Sequence, residues 1–210
     1  VYILKAKGQN KDTEMSFDLV MKPTMKPWLI DGTGLVRMSE NTNSYYYSMP
    51  KFETTGTITL NGKTYHITKT PGTSWMDRQW GDFKVHPYGW EWFSLRLDNG
   101  MVGNIFAIVD TRNHQIFDGA ANIIFPNGET KVIPYKNIKI TRNNYWHDDH
   151  NQLDYPLSFT VEIPEVQLSF VDTAAFPEQE TLGFWEGYSN IAATYQGKPV
   201  KGFSYTQLMY

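Results

Sequence analysis

Apolar and polar residues alternate with a period of two along most of the chain, the spacing of strands that bury one face. Thr55–Leu60 and Lys63–Thr68 flank Asn61-Gly62, and Asn-Gly supplies the positive φ angles of a two-residue hairpin turn. Trp92–Leu97 alternates and turns at Asp98-Asn99-Gly100 into Met101–Asp110. Gln115–Phe125 runs to Pro126-Asn127-Gly128 and returns as Glu129–Pro134. Pro156–Pro164 pairs with Val166–Val171, and Gly187–Tyr195 turns at Gln196-Gly197 into Pro199–Tyr210. Strands of roughly 6–12 residues with frequent turns predict an all-β barrel or sandwich. Thr173–Thr181 offers at most one helical turn, which Pro177 limits. Arg142–Asp154 is polar and predicts a long flexible loop. The strand pattern breaks at Gly81–Gly89, the best place for a domain boundary. Val1–Lys7 opens in mid-strand pattern without Met, so the expectation is a fragment or a processed product.

Composition narrows the function classes. The 210 residues carry 19 basic and 22 acidic side chains, a formal charge of −3, with no basic stripe to hold nucleic acid. The absence of cysteine excludes disulfides, thiolate zinc sites and a Cys nucleophile. No run of about 18 apolar residues reads as a transmembrane helix. Phosphate-binding glycine loops, a Gly-x-Ser-x-Gly elbow and His-Glu-x-x-His are all missing, so no cofactor is expected.

The candidate chemistry concentrates in Ser74-Trp75-Met76-Asp77-Arg78-Gln79-Trp80-Gly81 and Trp90-Glu91-Trp92-Phe93. Four tryptophans fall within eighteen residues around one Asp and one Arg. A carboxyl among such rings faces desolvation, which raises its pKa and keeps it able to donate a proton. If the segment is extended, Trp75, Asp77 and Gln79 share one face and Met76, Arg78 and Trp80 the other. The alternative is a structural Asp77 that caps a turn or pairs with an Arg. In Ser44-Tyr45-Tyr46-Tyr47-Ser48, Tyr45 and Tyr47 share a face and Tyr46 opposes them. Those rings either line a cavity or pack against another sheet. Trp185-Glu186 repeats the acid-beside-Trp theme, near Glu180, with Arg96 or Arg78 as a structural partner for Glu186. His147-Asp148-Asp149-His150 has metal-ligand types, but it lies in a polar loop without a further ligand and reads as solvated.

These motifs resemble the carotenoid 1,2-hydratase (hydroxyneurosporene synthase) and AttH-like family. The resemblance runs over Tyr45–Ser48, the Gly56–Ile67 hairpin, Gly72–Gly81, Trp90–Phe93, Tyr155-Pro156, Phe159–Pro164, Glu178–Glu180, Phe184–Gly187 and Gly202–Tyr210. It implies two lipocalin-like (calycin) antiparallel barrels, with a ligand cavity at or near their junction. Residues 1–87 resemble the C-terminal half of the first barrel, and residues 88–210 a complete second barrel. The family implies addition of water to an isoprenoid alkene, with Asp77 matching the acid that protonates it. Its hydratases carry a His-x-Trp pair where Tyr45 and Tyr47 stand here. Other members hydrate a flavonoid or cyclise polyenes.

Two functions follow as expectations. One is a hydratase or cyclase with Asp77, Tyr45 and Tyr47 as catalytic residues. In it Trp75, Trp90, Trp92, Arg78, Trp185 and Glu186 bind a hydrophobic, isoprenoid or polyene-like ligand. The other is a non-catalytic carrier for a lipid-like molecule. The expected partners are that small molecule and either the missing half of the first barrel or another copy of the chain. Peripheral membrane contact and an extracytoplasmic or cell-envelope location also follow from the resemblance.

Overall fold

The structure, a computed structural model, describes residues 1–68, 74–82, 86–181 and 183–210. Gly72-Thr73 of the tryptophan motif and residues 83–85 of the expected boundary lie outside the described residues. The described chain is all β. Its strands are β1 (Tyr2–Asn10), β2 (Thr13–Pro23), β3 (Trp28–Leu29), β4 (Leu35–Arg37), β5 (Asn43–Met49), β6 (Phe52–Leu60), β7 (Lys63–Ile67) and β8 (Met76–Gly81). There follow β9 (Tyr88–Leu97), β10 (Val102–Asp110), β11 (Ile116–Ile124), β12 (Thr130–Pro134), β13 (Lys139–Asp148) and β14 (Leu153–Ile163). The last are β15 (Leu168–Ala174), β16 (Glu180–Thr181), β17 (Phe184–Tyr195) and β18 (Lys198–Met209). Three short 3₁₀ turns interrupt them.

The chain divides into two compact units, residues 1–29 with 45–80, and residues 30–44 with 81–210. The first unit contains an antiparallel sheet in the order β1–β2–β6–β7. The Asn61-Gly62 turn takes positive φ at both residues, as its sequence requires. β5 pairs on one side with β3, Trp28 opposite Ser48 and Leu29 opposite Tyr47, and it also pairs with β8.

The second unit is one antiparallel sheet in the order β12–β11–β10–β9–β18–β17–β15–β14–β13, with β16 beside β17. Its core contains Phe93, Leu95, Ile105, Ile123, Phe159, Val161, Phe170, Trp185, Ile191 and Leu208. Side chains from distant strands meet there. Phe93 on β9 and Phe159 on β14 touch edge to face at 5.0 Å. Those strands lie four places apart in the sheet order. A flat sheet would separate them by about 19 Å at 4.8 Å per strand. The sheet is therefore curled, with these residues inside the curl. Nearly all of β10 is buried, including residues of both faces. The segment from Ile30 to Ser44 packs on β11: the Asp31 N–H donates to Asn122 Oδ1 at 2.7 Å, and Arg37 sits over the Phe117 ring.

Two expectations are corrected. Arg142–Asp154 is a strand hairpin, with β13 running to Asp148 and β14 starting at Leu153. Its polar residues belong to the outward face and the turn, while Arg142 is turned inward by a charged partner. Thr173–Thr181 has no helical turn. Ala174 ends β15 and Glu180 opens the short β16.

Candidate functional site

The strand β5 sorts the first unit's candidate residues into two sets. Ser44, Tyr46 and Ser48 are buried, whereas Tyr45 is exposed and Tyr47 half-buried. Tyr45 stacks on Trp80 at 5.7 Å, and Tyr47 meets the same ring edge-on at 6.2 Å. On the other face, Ser48 Oγ donates to Asp77 Oδ1 at 2.5 Å. Trp28, directly opposite Ser48, covers the buried side. Adjacent strand residues point to opposite faces, so the structure brings Asp77 to Ser48, on the face of β5 that Tyr46 shares, while Tyr45 and Tyr47 lie on the other face with Trp80.

Asp77 is itself exposed in the chain, as are Arg78 and Trp80. Among the described residues β8 pairs with β5 alone, and the desolvation expected from the tryptophan neighbours of Asp77 is not seen there. Trp75 is half-buried just before β8. Beside it, the hydroxyls of Ser74 and Thr54 share a hydrogen bond of 2.8 Å.

In the second unit, Trp90 and Trp92 lie on the face of β9 opposite Phe93 and Leu95, Trp90 half-buried and Trp92 buried. Trp90 Nε1 donates to Gln207 Oε1 at 2.7 Å, and Gln207 Nε2 donates to Glu186 at 3.3 Å. These contacts bring Trp90 and Glu186 together. Trp185 faces the other way. It is 1% exposed in the core, and its Nε1 donates to the Pro177 carbonyl at 2.7 Å. It is a packing residue rather than a lining one.

Inside the curl lie polar groups that the sequence reading did not single out. Glu91 is fully buried and takes two hydrogen bonds from Arg142, at 2.5 and 3.0 Å. Tyr210 Oη donates to the same carboxylate at 2.8 Å. Burial opposes the Arg142 charge, and the bonds and charge of Glu91 more than offset this, so its pKa rises. Burial and the nearby Glu91 push the Tyr210 phenol well up, which keeps it a donor. Asp172 is a second buried acid. Burial raises its pKa to about 6, against the hydroxyls of Thr206, Ser189 and Ser204 that favour the charged form. Thr206 donates to it at 2.9 Å. Ser189 makes no hydrogen bond of ordinary length. His147 bonds Asp154 at 2.8 Å, and Asp148 accepts from the His150 N–H. These are contacts of a hairpin end.

Period-two alternation alone finds inward acids only once the phase of each strand is known. The phase of β9 is hidden by apolar residues on both of its faces. For β5, the signal was the Ser-x-Tyr-x-Ser spacing of small polar residues around Tyr46.

Residues 3–209 match the AttH-like family model. A curated relative, the dehydratase asqC of Emericella nidulans, is 25% identical over 96% of this chain and 60% of its own length. Two solved structures share the fold over 99% of this chain and 64% of theirs. One is a Nitrosomonas europaea protein assigned as an AttH, with a TM-score of 0.81 and 23% identity. The other is kievitone hydratase of Nectria haematococca, with a TM-score of 0.82 and 22% identity. The chain thus spans somewhat under two thirds of the length of these relatives.

Proposed function

The chain belongs to the AttH-like family, and from that premise we propose a hydratase-type activity: addition or removal of water at a carbon–carbon double bond of a hydrophobic small molecule. The relatives named for hydratase and dehydratase reactions support the reaction class. The observation that carries the site is the short Ser48–Asp77 bond. In dehydration, the Asp77 carboxylic acid protonates the leaving hydroxyl and water departs. The carboxylate so formed takes a proton from the neighbouring carbon, which restores the acid and leaves the alkene. Hydration is the reverse sequence. Ser48 holds the carboxyl group in place through its hydroxyl. Aromatic faces such as Trp28 and Trp75 stabilise a cationic intermediate.

Asp77→Asn should lower turnover at least ~100-fold, and Ser48→Ala by a smaller factor, with ligand affinity nearly unchanged. Near-normal turnover by Asp77→Asn would sink the acid–base role. The rival reading, carriage of a lipid-like ligand without chemistry, is favoured by the exposure of Asp77. Mass analysis of co-purified small molecules separates the two. Turnover predicts a pair of species differing by one water, and carriage a single species.

A further inference from the structure

The curl of the second unit treats its two inward acids in opposite ways. Glu91 is met by the Arg142 guanidinium and the Tyr210 phenol. Asp172 is 1% exposed and has only neutral neighbours. Among the described residues it is faced by Phe159 on β14, by Ser189 and Ile191 on β17, and by Ser204 and Thr206 on β18. Other titratable groups turned toward the curl are engaged elsewhere. Asp148 accepts the His150 N–H, Tyr155 accepts from Asn151, and Glu180 accepts the Gly183 N–H. Thr206 donates to Asp172 at 2.9 Å, and the same hydroxyl lies 3.1 Å from Ser204. Ser189 makes no bond of ordinary length. A neutral carboxyl suits this set. A carboxylate needs a cation or several donors to be stable away from water, and these hydroxyls fall short of that.

The sheet is interrupted just beside this acid. The ladder between β15 and β17 ends with Ala174 opposite Ser189, and resumes where Glu180 of β16 meets Trp185. Asp172 lies two residues from that end, roughly 7 Å along the strand. Between the two ladders residues 175–179 leave the sheet, and Phe176 is 53% exposed. One side chain stands in for the absent strand. Gln179 Oε1 accepts the Tyr188 N–H at 2.8 Å, while Gln179 Nε2 donates to the carbonyls of Phe176 at 2.9 Å and Tyr188 at 3.3 Å. Its amide lies against Gly187, where a Cβ would stand 2.2 Å from Gln179 Cδ. The Ala175 N–H donates to the Tyr188 carbonyl at 3.0 Å, and the Glu186 N–H to the Gln179 carbonyl at 3.1 Å. The Trp185 Nε1 bond to Pro177 completes the closure. A detour held by so few bonds opens at lower cost than the continuous ladders beside it.

We propose that Ala175–Gln179 is a strap over the interior of the second unit, closed while Asp172 is protonated and released when Asp172 ionises. The carboxylate gains water through the nearest break in the sheet, and the paired lengths of β15, β17 and β18 stay together. The interior, lined there by Trp185, Ile191 and Leu208, is sealed in acid and reachable at neutral pH. Burial sets the direction, because it raises the Asp172 pKa to about 6 in the closed form, from an ordinary 3.8. The closed form holds its full advantage below pH ~4 and loses it as pH rises to ~6, beyond which the effect is level. That difference corresponds to a change of about 100-fold in the opening constant.

The test is amide hydrogen exchange of the 210-residue chain, read by NMR, corrected for intrinsic rates and repeated in low urea. The amides of Ala175, Glu186 and Tyr188 report the strap. They should open about 100-fold more at pH ~7 than at pH ~4, with almost no dependence on urea, as a local opening exposes little surface. Asp172→Asn keeps the shape of the side chain and should abolish the pH dependence. Gln179→Ala should raise the opening at every pH and leave the pH dependence intact. An opening that does not change with pH would overturn the proposal, as would a pH dependence that survives in Asp172→Asn. So would strap amides whose exchange rises with urea as steeply as that of β9 and β10, because the event would then be global unfolding.

Discussion

A single buried carboxyl gives the sharpest prediction. Asp172 is held by Thr206 inside the curled sheet, and its pKa is raised to about 6, mainly by burial. The folded state therefore holds that proton more tightly than the unfolded chain, whose Asp titrates near 3.8. The stability this contributes is complete below pH ~4 and is lost as pH rises through ~6. Two pKa units correspond to about 3 kcal/mol. Asp172→Asn should match the parent at pH 4 and exceed it by up to that amount at pH 8. Urea unfolding at both pH values measures the difference, and parallel pH profiles would refute the assignment. The sequence places Asp172 just past the strand predicted at Val166–Val171, whereas the strand runs on to Ala174. The inward direction of Asp172 follows from pairing with β14 and β17, which no local pattern encodes.

Strands were the most legible elements, because period two and turn chemistry are local. The Asn61-Gly62, Asn99-Gly100 and Gln196-Gly197 turns all lie where the sequence puts them. The 142–154 hairpin escaped because its polar residues look like a loop, although Arg142 is drawn inward by Glu91 across the curl. Gly56 shows an element-scale constraint of another kind. Its φ is +135°, and a Cβ there would lie 2.1 Å from the Asp18 carbonyl oxygen. β6 can approach β2 at this point only without a side chain. Gly56→Ala should cost at least about 2 kcal/mol. The urea midpoint reports it, and an unchanged midpoint would show that the pairing relaxes freely.

Over the whole curled sheet, the tie between β9 and β13 joins strands five places apart in the sheet order. Removing Arg142 alone leaves the fully buried Glu91 charge with only Tyr210. Arg142→Met is expected to cost about 3–5 kcal/mol, and adding Glu91→Gln should recover most of it. A double-mutant cycle by chemical denaturation checks this, and additive losses would show that the pair is not coupled. The fold class was readable from alternation and from the Trp-Met-Asp and Trp-Glu-Gly motifs. The identity of the acid's neighbours was not. Tyr45 and Tyr47 were expected beside Asp77, but the pairing of β8 with β5 presents Ser48 instead.

That arrangement bears on how the protein can change over evolution. Because Ser48 and Tyr47 point to opposite sides of one strand, a residue inserted or deleted within β5 would exchange the two sets of neighbours at a stroke. Substitutions at Tyr45 or Tyr47 leave the acid's face untouched. The segment can therefore drift in composition on one side while its length stays fixed.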